Sequence, residues 1–320
     1  MRILIPDDYQ DAVRTLACFS QLADHDVTIF TNTVKDLDAL AERLQPAEAL
    51  VLIRERTRIT DALLDRLPRL KLISQTGKGT AHIDLASCTR RGIVVTAGTG
   101  SPYAPAELTW GLILAAARHI PQEVARLRSG HWQSTLGTGL RGRTLGIWGY
   151  GKIGTLVAGY GRAFAMDVLV WGREGSLSRA QADGFATAAG REALFERSDV
   201  LSLHLKLDKE TRGIVTAADL ARMKPDALLV NTSRAELIET GALEAALRAG
   251  RPGFAAVDVY EEEPIYGAAH PLLKMDNAVC TPHLGYVEKD SYELYFSQAF
   301  EQVAAFAEGR PVRVVNPEAL

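Results

Sequence analysis

Apolar residues in the first hundred positions come in short uniform blocks. Aliphatic and β-branched runs fall at residues 2–6, 26–30, 49–53, 71–74 and 93–96. Such blocks read as strands covered on both faces, the pattern of a parallel sheet. Between them the spacing turns helical. Residues 11–22 place Val13, Leu16 and Ala17 at helical intervals, and residues 34–44 form an amphipathic stretch. Residues 60–67 carry Leu63, Leu64 and Leu67 behind a Thr60-Asp61 start that suits a helix N-cap. This β-α alternation predicts one small α/β domain with right-handed crossovers.

The stretch GTGSPYAP at residues 98–105 is rich in Gly and Pro and marks a boundary. A helical segment of small and apolar residues follows at 106–118, then a loop-rich passage at 128–143 that contains Trp132. A second series of strands is expected at 144–148, 167–171, 200–204, 228–231, 255–257 and 278–281, with helices such as 217–222 and 241–249 between them and Gly250 as a C-terminal stop. The last helix, 291–307, is stopped by Gly309. It follows the final strand of the second series, so it is expected to fold back onto the first domain. The predicted architecture is α/β: two Rossmann-like, doubly wound parallel-sheet domains, the first discontinuous. The expected limits are 1–98 plus 288–320 for the first and 99–287 for the second.

The most informative stretch lies at the start of that second series. The strand Leu145–Trp148 runs into Gly149-Tyr150-Gly151-Lys152-Ile153-Gly154, a helical run follows to Phe164, and a second strand at 167–171 closes a β-α-β unit of about 30 residues. In this context Gly149 makes the tight turn, Gly151 admits a pyrophosphate and Gly154 lets helix and strand pack closely. Lys152 and Ile153 open the helix whose free N–H groups and dipole end would hold the phosphate. These residues predict a dinucleotide site.

The 320 residues are 47% hydrophobic and 23% charged, with a formal net charge of −3. That balance argues against a nucleic-acid or membrane-surface partner. Cys18, Cys88 and Cys280 are odd in number and widely spaced, which fits a reducing cytoplasm and neither a disulfide framework nor a metal site. No apolar run reaches the ~18 residues of a membrane span.

Three polar residues fall where strands of the second series end: Arg234 after LLVNTS, Glu263 after AAVDVYEE, and His283 after VCTP. Ligands of open parallel sheets bind beyond the carboxyl ends of the strands, so all three are expected to face the glycine loop's crevice. Hydride transfer between a nicotinamide and a C–OH/C=O carbon needs a proton on oxygen, and a histidine titrating near 6.5 is suited to supply it. Glu263 would orient the ring and favour its protonated form, while Arg234 offers a fixed, bidentate cation for a carboxylate and a polarised carbonyl.

Over essentially its whole length the chain resembles the D-isomer-specific 2-hydroxyacid dehydrogenase family, through TLGIWGYGKIG, LLVNTSRAEL, AAVDVYEEEP and CTPHLGY. The resemblance implies that Arg234 binds and polarises substrate, that Glu263 and His283 form the proton relay, and that Asp258 contacts the nicotinamide carboxamide, with Thr232 also at the cofactor. The loop QTGKGTAHID at 75–84 resembles the family loop whose backbone N–H groups, here of Lys78 and Gly79, hold the substrate carboxylate. It implies a small 2-oxoacid or 2-hydroxyacid as partner and a homodimer, with the 118–143 arm as the contact. The chain departs from the family pattern at Ala235, Lys206, Lys78 and His82.

The second strand of the nucleotide unit ends Val170-Trp171-Gly172-Arg173-Glu174. Gly172 stands where NAD-preferring members carry an acid for the ribose 2′-OH, and Arg173 could grip a 2′-phosphate, which favours NADP over NAD. The alternative is that Arg173 points to solvent and Glu174 takes the ribose. The competing function is a nucleotide-sensing, corepressor-like binding protein on the same fold. A methyltransferase leaves the Arg/Glu/His set without a purpose.

Overall fold

The computed structural model describes all of residues 1–320, in two compact units, Met1–Ser101 with Glu288–Leu320, and Pro102–Val287. In the first unit five strands, β1 (Arg2–Ile5), β2 (Asp26–Ile29), β3 (Ala49–Leu52), β4 (Leu72–Gln75) and β5 (Val94–Ala97), pair in the order β2-β1-β3-β4-β5. Every pairing is parallel. The order reverses between β1 and β3, so the loops leaving those strands border the usual ligand crevice.

Alternate strand residues explain the two covered faces. Leu4, Leu50, Leu52, Ile73 and Val95 join Leu40 and Leu44 of the Leu37–Leu44 helix in one buried cluster. On β4 and β5, Ser74 and Thr96 turn instead to the C-terminal helix Lys289–Ala307. Both hydroxyls donate to Gln302 Oε1 at 2.8 Å, and Ser74 lies 2.9 Å from the Ala299 carbonyl. The tail then crosses β5, where Asn316 Oδ1 accepts from the Val95 N–H at 2.7 Å. The expected caps form: Thr60 accepts from the Leu63 N–H, and Gly309 stops the last helix at φ +75°. One expectation fails. Residues 11–22 form two 3₁₀ turns, Val13–Thr15 and Ala17–Leu22, in place of a single helix. An extended Leu16 separates them, and Glu293 takes the N–H groups of Ala17 and Cys18 at 2.6 and 3.2 Å.

The second unit holds seven strands: β6 (Thr144–Trp148), β7 (Asp167–Trp171), β8 (Ala186–Thr187), β9 (Val200–Leu203), β10 (Leu228–Asn231), β11 (Phe254–Val257) and β12 (Ala278–Cys280). Their order is β12-β11-β10-β9-β6-β7-β8, all parallel, with the reversal between β6 and β9. Leu145 and Ile147 enter one core with Trp110 and Val157, while Trp148 enters the opposite core with Phe195 and Leu203. The helix expected at 106–118 runs over Tyr103–Ala117. No helix of the chain is long and apolar enough to cross a membrane.

Candidate active site

The glycine loop sits at the reversal point of the second sheet. Gly149 follows β6 at φ +101°, and a Cβ there would stand 2.5 Å from the His204 carbonyl oxygen, just past β9. Only glycine makes that turn. Gly151 starts the Lys152–Ala163 helix with no side-chain cap, and nothing lies within 4 Å of its Cβ position. Gly154 packs directly on the Gly149 carbonyl. A tight turn, an open approach and uncapped helix N–H groups fit a pyrophosphate, with Lys152 and Ile153 in the first turn.

At the ribose end, Gly172 follows β7. A Cβ on it would be 3.4 Å from Ser176 Cβ and 3.9 Å from Gly149 Cα, so Gly172 and Ser176 line one spot beside the loop. Arg173 is 80% exposed and lies 3.8 Å from Glu210, an ion pair open to solvent. Arg179 ties this region to the loop by donating to the Tyr150 carbonyl at 2.9 Å.

At the end of β10, Asn231 builds the turn that presents Arg234. Its amide donates to the Arg234 carbonyl at 2.8 Å and its oxygen accepts from the Ser233 N–H at 3.0 Å. Thr232 Oγ1 lies 2.7 Å from Thr109 Oγ1 on the Tyr103–Ala117 helix. Ala235, which sequence comparison marks as unusual, enters a 3₁₀ turn with no positive φ, so its methyl is accommodated.

The shortest charged contact of the site joins Glu263 and His283: Oε2 to Nδ1 at 2.6 Å, both side chains about a third exposed. Glu263 Oε1 accepts from the Tyr260 N–H at 2.9 Å, so both carboxylate oxygens are held. With Nδ1 committed to the carboxylate, Nε2 is the nitrogen left for a substrate. His283 has φ +53°, a costly conformation for a non-glycine residue. Buried Asp258 holds the loop around it. Its oxygens accept from Thr281 Oγ1 at 2.6 Å and from the N–H groups of Leu284 and Gly285 at 2.7 and 2.8 Å. Burial raises the Asp258 carboxyl above its ordinary value, opposed by these donors and by His283.

Sequence reasoning missed three polar residues, one in the second unit and two in the first. His204 places Nε2 2.9 Å from Ser202 Oγ, and its Nδ1 is buried without a partner. Burial pushes its imidazole down to about 4. Arg54 and Glu55, from the loop after β3 in the first unit, lie over the 77–79 loop: the Arg54 guanidinium rests on Gly77, and Glu55 Oε1 is 2.6 Å from the Cβ position of Gly79. Lys78 between them is exposed. Contacts between two loops leave no periodic mark in a sequence.

Fold and glycine cradle define a dinucleotide-binding protein with a carboxylate–histidine pair at a strand end. Residues 110–285 match the family described as D-isomer specific 2-hydroxyacid dehydrogenase, NAD binding domain. A glyoxylate reductase from Aeropyrum pernix is 40% identical over 292 residues, 88% of this chain and 86% of that protein. A phosphoglycerate oxidoreductase structure from Vibrio cholerae O395 is 56% identical with a TM-score of 0.94, covering 97% of this chain and 99% of that one. A Ralstonia solanacearum oxidoreductase, provisionally named a D-3-phosphoglycerate dehydrogenase, is 59% identical with a TM-score of 0.98, covering 100% and 98%. The chain belongs to the D-isomer-specific 2-hydroxyacid dehydrogenase family, and its second unit is a nicotinamide-cofactor domain.

Proposed function

We propose that this oxidoreductase reduces a 2-oxoacid to a D-2-hydroxyacid. The observation that carries the reading is the His283–Glu263 pair at 2.6 Å in the sheet that bears the glycine cradle. The nicotinamide, when bound, supplies the hydride that reaches the substrate C2. His283 Nε2 gives the carbonyl oxygen its proton, and Glu263 holds the ring through Nδ1 and balances the charge of the protonated form. Arg234 binds the substrate and polarises its carbonyl. The N–H groups of Lys78 and Gly79 hold the substrate carboxylate. Asp258 and Thr232 serve the nicotinamide end, and Asp258 also fixes the loop that strains His283.

Gly172 and Arg173 support NADP over NAD, with Glu210 as the partner that a 2′-phosphate would replace on the Arg173 guanidinium. We assign a homodimer as the assembly. Ile120, Val124 and Leu127 line one face of the Ile120–Arg128 helix, and all are exposed, as are Trp132 and Leu136 in the arm that follows. Three unpaired cysteines support a reducing, cytoplasmic setting. The test is oxidation of NADPH and NADH against glyoxylate, hydroxypyruvate, pyruvate and bulkier 2-oxoacids; no turnover with any of them would overturn the reading.

A further inference from the structure

We propose that Tyr260 is a positioning residue of the reaction: its hydroxyl, set on the carbonyl of Thr281, fixes the turn that brings His283 to Glu263. The proposal rests on the reading of the Glu263–His283 pair as the proton relay. The two members of that pair come from different loops, Glu263 from the one after β11 and His283 from the one after β12. Tyr260 reaches both. Its backbone N–H donates to Glu263 Oε1 at 2.9 Å, and its side-chain hydroxyl donates to the Thr281 carbonyl at 3.0 Å. The same carbonyl accepts from the His283 N–H at 3.0 Å, closing the Thr281-Pro282-His283 turn. That turn holds His283 at φ +53°, a conformation that a non-glycine residue keeps only where its surroundings impose it.

Thr281 is the fixed point of this arrangement. Its N–H donates to the Val257 carbonyl at 2.9 Å and its hydroxyl to Asp258 Oδ1 at 2.6 Å, so the end of β11 anchors two of its polar groups. The third, the carbonyl, bears directly on His283, and the Tyr260 hydroxyl orients it. Burial pushes that hydroxyl above its ordinary value, so it stays a donor across the pH range of an assay. The Cys280 thiol lies within bonding reach of the same hydroxyl. The Tyr260 ring is buried in the core with Val257 and Leu272, edge-on to His270 at 5.0 Å. Packing alone would favour phenylalanine there, because a buried hydroxyl costs free energy unless it is bonded. What the hydroxyl adds is the link between the two loops.

The experiment follows kcat/KM against pH for the 2-oxoacid turned over fastest, in the wild type, Tyr260→Phe, Glu263→Gln and the double variant. Asp258 and Tyr286 also face the His283 ring, and all four proteins retain them. Tyr260→Phe keeps the ring and removes only the donor. The alkaline limb of reduction should move to lower pH, because a looser turn weakens the contact that stabilises the protonated imidazole. Loss of one neutral hydrogen bond is worth about three- to ten-fold in an equilibrium, which corresponds to a shift of about 0.5–1 pH unit. Cofactor affinity, read by NAD(P)H fluorescence, should be unchanged. In the Glu263→Gln background the same substitution should move the limb no further, since the contact it acts through is gone. A limb unmoved by Tyr260→Phe but moved by Glu263→Gln overturns the role of Tyr260 and leaves the relay reading intact. So does a shift of equal size with and without Glu263, or a lowered thermal midpoint with no shift. A limb that Glu263→Gln itself leaves unmoved overturns the relay reading, and this proposal with it.

Discussion

Replacing His204 with glutamine should flatten the acid side of the stability curve of the Pro102–Val287 unit. Burial holds this imidazole at about 4, whereas an exposed histidine titrates near 6.5. As pH falls through 6.5 the unfolded chain takes up a proton that the folded chain refuses until about pH 4, so stability declines over that window and is level above it. Between pH 7 and pH 5 the loss from this one group is about 2 kcal/mol. All four tryptophans, Trp110, Trp132, Trp148 and Trp171, belong to this unit, so tryptophan fluorescence reports its unfolding without a signal from the other. In urea, with an m-value of about 2 kcal/mol/M, the wild-type midpoint should move about 1 M further between those pH values than the midpoint of His204→Gln. Groups common to both proteins cancel in that comparison, as does any uniform destabilisation by the substitution. Equal pH slopes would show that His204 is solvated in the folded state and would refute the argument.

Arg234→Ala should lower kcat/KM for 2-oxoacids by about 10²–10³ while NAD(P)H binding, followed by fluorescence, is retained; activity within a few-fold of wild type would remove Arg234 from the site. His283→Asn should abolish reduction with cofactor affinity nearly unchanged. Glu263→Gln should shift the alkaline limb of the reduction profile to lower pH, because reduction needs the protonated ring and that ring loses its counter-charge; an unmoved profile would leave Glu263 a structural turn residue. Arg173→Ala should weaken NADPH about ten- to hundred-fold relative to NADH in equilibrium titrations, and equal losses for both would point to a packing role.

The parallel sheets were legible because their strands are uniformly apolar, and the glycine loop because three glycines answer three separate steric demands. The helices missed by periodicity, Leu85–Arg90, Ile120–Arg128, Glu174–Ala182 and Arg191–Arg197, are short and largely polar. Leu85–Arg90 and Arg191–Arg197 span fewer than two turns, too short for a 3.6-residue repeat to show, and Ile120–Arg128 carries one only through Ile120, Val124 and Leu127. The two-residue β8 carries no pattern at all. At the site, Arg234, Glu263 and His283 stood out because each ends an apolar strand in a distinctive local sequence. Arg54 and Glu55 did not, since a charged triplet in a loop reads as solvated surface until the fold lays it over Gly77 and Gly79. The failure at residues 11–22 has a similar origin: apolar spacing there was helical, but Glu293, from the far end of the chain, takes the Ala17 and Cys18 N–H groups.

The discontinuity of the first unit has a consequence for how the protein is made. On a ribosome β1 to β5 emerge first, yet the helix that accepts the Ser74 and Thr96 hydroxyls is Lys289–Ala307. All of Pro102–Val287 must be synthesised in between. At about 5–20 residues per second that interval is roughly 10–40 s, during which one face of a five-stranded sheet stands without its cover. The continuous second unit has every strand it needs before translation ends and can fold within that time. The first-born strands are thus the last to be finished. Nascent-chain chaperones would find their surface on β4 and β5, and Asn316 closes the unit only after the Lys289–Ala307 helix has been made.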